Sequence, residues 1–253
     1  MRKTMVDVPT GDGTADAYLV VPDGDGPFPG VLFYMDVFGL RPRLYEMAER
    51  IAERGYAVLA PNLFYRSART PVADTSSLAD PEERGKVFGR LMPMMQQLDT
   101  AAITRDAGAY LDFLAAQDGV SAGPDAVVGY CMGGLNGLKA ITAYPDRIVA
   151  LASFHGARLA TDEPDSPHRQ VAKIKGEVYF AHADHDHSMP QEDIDRLEAA
   201  LDAADVRFRS EIYPGAEHGF TMADTAAFSA EAEKRHWEKL FELLDATLPT
   251  PAR

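Results

Sequence analysis

One cysteine stands in this 253-residue chain, in the surroundings a nucleophile requires. The apolar run Ala126–Tyr130 leads into Gly129-Tyr130-Cys131-Met132-Gly133, and a helical pattern follows. A side chain raised on a tight strand-to-helix turn needs glycine two positions away on either side, because a Cβ atom would collide there. The helix N-terminus behind Cys131 favours a thiolate, and the amide of Met132 faces the space where an oxyanion would form. An isolated cysteine is more often a small packed hydrophobe. Strand, glycines and helix together favour the nucleophile.

Such a thiol needs a base, and the base needs a carboxylate to orient it. In α/β-hydrolases both follow the nucleophile, acid first and histidine last. His218 lies in Tyr213-Pro-Gly-Ala-Glu-His-Gly-Phe220, a loop between the last predicted strand and the final helix. The acid should come from His182-Ala-Asp-His-Asp-His-Ser-Met-Pro190, which offers Asp184 and Asp186. Asp186 is preferred, since it precedes a short turn, an apolar residue and a proline; Asp184 is the reserve. The same loop holds His182-Ala183-Asp184-His185, part of a metallo-β-lactamase-like string, and clustered His and Asp can bind zinc. Phe180 stands where that motif needs its first histidine, and the segment falls late in the chain. A polar loop with one functional carboxylate is the better reading.

The elements that must position these residues alternate along the chain. Strands are predicted at Met5–Val8, Asp16–Val21, Gly30–Met35, Tyr56–Ala60, Ala126–Tyr130, Ile148–Phe154, Glu177–Ala183 and Val206–Tyr213. Several are continuous in apolar residues, as strands buried on both faces should be. Helices are predicted over Leu44–Glu53, ended by Gly55, and after Pro190, where Glu192 and Asp193 suit a first turn. A third carries the stripe Trp237, Leu240, Phe241 and Leu244. This alternation implies βαβ units, a mainly parallel sheet of the α/β class, and an antiparallel start from the first two strands. Asn62–Arg84 reads as a long loop, and Lys86–Gln97 as a Met-rich helix that packs on the sheet or covers a pocket. One domain is expected over residues 1–253.

Composition bounds the rest. Apolar residues make up 46% and charged residues 25%, enough for a sizeable core. The net charge of −14 argues against nucleic acid or an anionic membrane surface as partner. The N-terminus lacks an apolar signal region, and no stretch approaches the ~20 apolar residues of a spanning helix, so a cytoplasmic location is expected.

Gly129-Tyr-Cys-Met-Gly-Gly134, Asp186-His-x-Met-Pro190 and Glu217-His218-Gly-Phe220 together resemble the dienelactone hydrolases, over nearly the whole chain. The resemblance implies an α/β-hydrolase fold with an eight-stranded sheet, no cofactor, and a Cys131–His218–Asp186 triad acting on an ester or lactone through a thioester. It also implies an oxyanion hole from the amides of Val37 and Met132. In Tyr34-Met-Asp-Val-Phe-Gly-Leu40, Asp36 and Phe38 align with a segment whose Glu contacts the resting cysteine; Asp36 is one methylene shorter. Met222 occupies a position where the family carries an arginine for the substrate's carboxylate. With Asp36 repelling anions, a preference for neutral, apolar esters or lactones is expected, held by Leu91–Met95; Arg84 or Arg90 are the cations that could compensate.

Overall fold

The computed structural model describes residues 1–249; residues 250–253 of the expected domain lie outside them. Eight strands form one sheet: β1 (Arg2–Thr10), β2 (Gly13–Val21), β3 (Gly30–Tyr34), β4 (Ala57–Pro61), β5 (Asp125–Tyr130), β6 (Ile148–Phe154), β7 (Glu177–Ala183) and β8 (Arg207–Tyr213). Their spatial order is β1-β2-β4-β3-β5-β6-β7-β8. β1 pairs with β2 and β2 with β4 antiparallel, and the remaining neighbours are parallel. The α/β architecture expected from the sequence is the one observed.

Among the described residues, five α-helices lie between strands and a sixth follows β8: α1 (Pro42–Ala52), α2 (Pro81–Met95), α3 (Thr100–Ala115), α4 (Met132–Ala143), α5 (Gln191–Ala203) and α6 (Ala230–Thr247). A 3₁₀ segment, Pro167–Lys173, precedes β7. Each α-helix forms because one face can be buried. In α1, Leu44, Met47 and Ile51 are buried together, each worth ~1.5–3 kcal/mol relative to exposure. In α6 the buried stripe is Trp237, Leu240, Leu243 and Leu244, with Phe241 only half-buried beside it. Among the described residues, no helix is long and apolar enough to cross a membrane.

Two stretches differ from the sequence reading. α2 begins at Pro81, inside the predicted loop: the Asp80 carboxylate accepts the amides of Glu82 and Glu83, and Pro81 needs no partner for its nitrogen. α3 had no counterpart among the predicted helices. It buries Ile103, Tyr110, Leu111 and Leu114, but also Asp106, so the face is not cleanly apolar. Tyr65 and Arg66 bind the Asp106 carboxylate, which makes its burial tolerable.

The parallel register decides where chemistry can occur. Tyr34 pairs with Gly129, Tyr130 with Phe154, Phe154 with Ala181, and Ala183 with Tyr213. The carboxyl ends of β3, β5, β6, β7 and β8 therefore finish along one edge, where α/β sheets hold ligands. At the opposite end of β5 lies an uncompensated charge. Asp125 is fully buried, neither carboxylate oxygen has a hydrogen-bond donor among the described residues, and Arg147 is 3.8 Å away. Burial raises its pKa to about 6, against the weaker pull of Arg147.

A raised folded-state carboxyl pKa contributes stability that is complete below the unfolded value and lost as pH rises through about 6. Asp125→Asn should therefore stabilise the protein relative to wild type increasingly between about pH 4 and pH 7.5, by up to roughly 3 kcal/mol. Urea unfolding across that range checks it; a difference that stays flat with pH would contradict the argument.

Candidate active site

Cys131 joins β5 to α4 with φ 54° and ψ −118°, a conformation costing of order 1–3 kcal/mol for a residue with a side chain. Its surroundings hold it there. The Cys131 amide donates to Phe154 O at 3.1 Å, and Cys131 O accepts from Gly134 at 3.0 Å and Ala157 at 3.2 Å. The flanking glycines are required by contact: a Cβ on Gly129 would lie 2.2 Å from Gly133 O, and one on Gly133 would lie 2.3 Å from Tyr34 O. Both obstacles are backbone and cannot swing aside. The sulfur-bearing side chain is half-buried at the floor of a cleft.

His218 enters that cleft from the loop after β8, and Asp186 from the loop after β7. Nδ1 of His218 and Oδ2 of Asp186 are 2.5 Å apart. Ser188 completes the carboxylate's shell: its amide at 2.8 Å and its hydroxyl at 2.6 Å both donate to Asp186 Oδ1. These donors keep Asp186 ionised although its side chain is only 3% exposed. Burial pushes its pKa up, and the bonds from His218 and Ser188 more than reverse that. At His218, burial works against the imidazolium, but the Cys131 charge and hydrogen bonds with Asp186 and Cys131 prevail and push the pKa up to about 10. Because 30% of the His218 side chain is exposed, solvent screens part of that attraction.

Asp184, the reserve acid, is used elsewhere. Its carboxylate accepts the Gly215 amide at 2.9 Å while its own amide donates to Ala216 O, stapling the two loops together. The metal-like string does not converge: His185 is 94% exposed, whereas His182 is buried with Nε2 3.2 Å from Ser210 Oγ. Burial lowers the His182 pKa to about 4. Among the described residues, no group of three His, Cys, Asp or Glu side chains is placed to hold a metal ion.

Val37 and Met132 both line the cleft beside Cys131. Neither amide donates to a backbone carbonyl among the described residues, so both remain available as a pair of donors. Asp36, by contrast, is not free. It is buried and gripped in parallel by Arg41, with Nη1 to Oδ1 at 2.7 Å and Nη2 to Oδ2 at 2.9 Å. Arg41 therefore offsets part of the repulsion expected of an unpaired Asp36, although it shares its charge with Asp224. Arg41 and its second partner, Asp224, were not legible in the sequence as site residues.

The cleft encloses about 890 Å³, and its apolar wall includes Phe38, Phe88, Met95, Leu135 and Met222. Of the expected Leu91–Met95 wall, only Met95 lines it, since Leu91 turns into the core. Arg84 lines the cleft and Arg90 does not; Arg158, overlooked in the sequence, lines it too. Also overlooked was His155, whose ring stands edge-on 5.3 Å from that of His218. It is fully buried, its Nε2 is 2.8 Å from Thr221 Oγ1, and burial followed by the His218 charge keeps it neutral. Only its position at the end of β6, level with the elbow, could have signalled it.

A nucleophile elbow on an eight-stranded, mainly parallel sheet, with its histidine and acid on later strand ends, defines an α/β-hydrolase. The sequence profile of the dienelactone hydrolase family matches residues 15–248, and the chain belongs to that family. A Synechocystis relative, named "Putative carboxymethylenebutenolidase", is 28% identical over 98% of both chains. A solved structure named m3DLH is 27% identical, with a TM-score of 0.80 over 98% of this chain and 99% of its own. A dienelactone hydrolase-like promiscuous phosphotriesterase from metagenomic libraries is 24% identical, with a TM-score of 0.78 over 98% and 100% of the two chains. That last likeness concerns the fold.

The geometry separates the two aspartates. Asp186→Asn should lower kcat by a factor approaching the ~10⁴ measured for the equivalent change in a serine triad. Asp184→Asn, which removes one acceptor from a loop staple, should cost less than about tenfold. Steady-state kinetics on both variants decide it, and the opposite ranking would move the role to Asp184.

Proposed function

We propose that this hydrolase cleaves a small ester or lactone with Cys131 as nucleophile, His218 as its proton partner and Asp186 as orienting acid. The observation that carries the reading is the convergence of Cys131, held in its strained turn, with the hydrogen-bonded His218–Asp186 pair. An imidazole oriented by Asp186 can accept the thiol proton, and the N-terminus of α4 behind Cys131 favours the resulting thiolate. The thiolate attacks the carbonyl carbon, and the amides of Val37 and Met132 receive the oxyanion. As the tetrahedral species collapses, the C–O bond breaks and His218 protonates the leaving oxygen. His218, now neutral, takes a proton from water, which attacks the thioester; Cys131 leaves as thiolate and the acid is released. A thiolate is itself a good leaving group, so alkoxides of low basicity and enolates are favoured over amines.

Substrate choice follows from the walls. The apolar side chains suit an uncharged acyl or alcohol portion, and burying them against it would supply ~25 cal/mol per Å². Met222 brings no charge, but Arg84 and Arg158 line the same cleft. The pairing of Asp36 with Arg41 weakens its repulsion of an anionic substrate. A carboxylated lactone and its neutral analogue should have kcat/KM values within about tenfold of each other. A larger deficit for the acid would restore the neutral preference.

Cys131→Ala should abolish nearly all turnover of a panel of lactones and short-chain esters, and iodoacetamide should inactivate the wild type with one label per chain, at Cys131. Retention of most activity by the alanine variant would sink the proposal.

A further inference from the structure

The Arg41 guanidinium is saturated. Nε donates to Asp224 Oδ2 at 2.5 Å; Nη1 donates to Asp36 Oδ1 at 2.7 Å and Gly39 O at 3.2 Å; Nη2 donates to Asp36 Oδ2 at 2.9 Å and Asp224 Oδ1 at 3.2 Å. An arginine has five N–H donors, and all five are engaged here. Arg41 is also buried. It has no donor left for a substrate anion, and a buried cation between two carboxylates is costly unless every bond is kept. Its contribution must come through what it holds.

It holds two loops. Asp36 belongs to the loop after β3, which carries Val37, and Asp224 to the loop that follows His218. The Asp36 carboxylate accepts the Phe38 amide at 3.0 Å as well, and Asp36 O accepts Gly39 at 3.3 Å. Val37 is thus enclosed between two residues whose positions depend on the same carboxylate. The other end of the clamp is rigid too: Arg41 O accepts the amides of Leu44 and Tyr45, fastening it to the first turn of α1.

We infer that Arg41 is a positioning residue for the Val37 amide, and that its two-pronged grip makes Asp36 a strut between the oxyanion loop and the histidine loop instead of an activator of Cys131. To reach the cysteine, the Asp36 carboxylate would have to abandon two charged bonds in a buried site. The inference rests on the thiolate mechanism proposed above, because the Val37 amide matters only if an oxyanion forms beside Cys131.

Asp36→Asn, Arg41→Lys and Asp224→Asn separate a strut from an activator. A lysine ammonium keeps the charge but cannot reproduce the planar fork. Two quantities are measured for each variant: kcat and KM on an uncharged p-nitrophenyl ester, and the rate of iodoacetamide alkylation of Cys131 against pH. A displaced oxyanion donor should lower kcat roughly 10- to 100-fold with KM changed less than about threefold. Alkylation reports thiolate without an oxyanion, so its rate and pH profile should stay within about twofold of wild type. Slower or pH-shifted alkylation in Asp36→Asn would make Asp36 the activator and overturn the inference. Lowered melting temperatures with unchanged kcat would also overturn it, reducing the clamp to a stabilising ion pair. If Arg41→Lys does not fold, Asp224→Asn carries the test, because its partly exposed carboxylate is lost without stranding the Asp36–Arg41 pair. Hydrolysis that survives Cys131→Ala would instead refute the mechanism beneath the inference.

Discussion

The structure depends on one backbone contact, the approach of the elbow glycines to the end of β3. A carbon on Gly133 would fall 2.3 Å from Tyr34 O, and one on Gly129 would fall 2.2 Å from Gly133 O. Because glycine stands at both positions, α4 can begin directly behind Cys131. The same contact brings the loop after β3 beside the elbow, and with it the Val37 amide. The Cys131 amide donating to Phe154 O, and Cys131 O accepting from the Ala157 amide, then tie the turn to the end of β6. The strain at Cys131 persists because these neighbours over-determine it.

Charge in and around the cleft is handled by pairing. Asp186 has His218 and Ser188, Asp36 has Arg41, and Arg41 has Asp224 as well. His155 and His182, both buried, are held neutral by desolvation. His218 differs because it is partly open and hydrogen-bonded to the Asp186 carboxylate, so attraction outweighs the cost of burial. His218 is thereby set apart from the buried His155 beside it as the imidazole that can hold a proton. The buried rings also pack: His155 stands edge-on to both His218 and Phe220, which limits how the His218 ring can tilt.

Local pattern determined a good deal. Six of the strands were readable to within one residue at each end, five of them because strands buried on both faces are largely continuous apolar runs; β8 is a mostly polar edge strand. The elbow was readable because its glycines are a requirement of local sterics, and Asp186 because a turn and a proline follow it at short range. β1 extended well beyond its apolar core since its outer residues are held by pairing with β2, a partner that no single strand reveals. α3 escaped because Asp106 interrupts its buried face, and only Tyr65 and Arg66, some forty residues away, make that burial acceptable. α2 was placed late because Asp80 and Pro81 resemble loop residues until the chain is seen to cap on them.

What tertiary structure alone decided is which charged groups meet. Arg41 and Asp224 are 183 positions apart, and nothing in either neighbourhood points to the other. Resemblance to the family put the Asp36 carboxylate near Cys131; only the fold showed both of its oxygens turned to a guanidinium. It likewise chose Arg84 and Arg158 over Arg90 as cleft residues, and turned Leu91 away from the wall that its neighbour Met95 joins. Side-chain periodicity and turn chemistry act over a few residues and can be read along the chain. Ion pairing acts through space, and its partners exist only once the strands have been ordered.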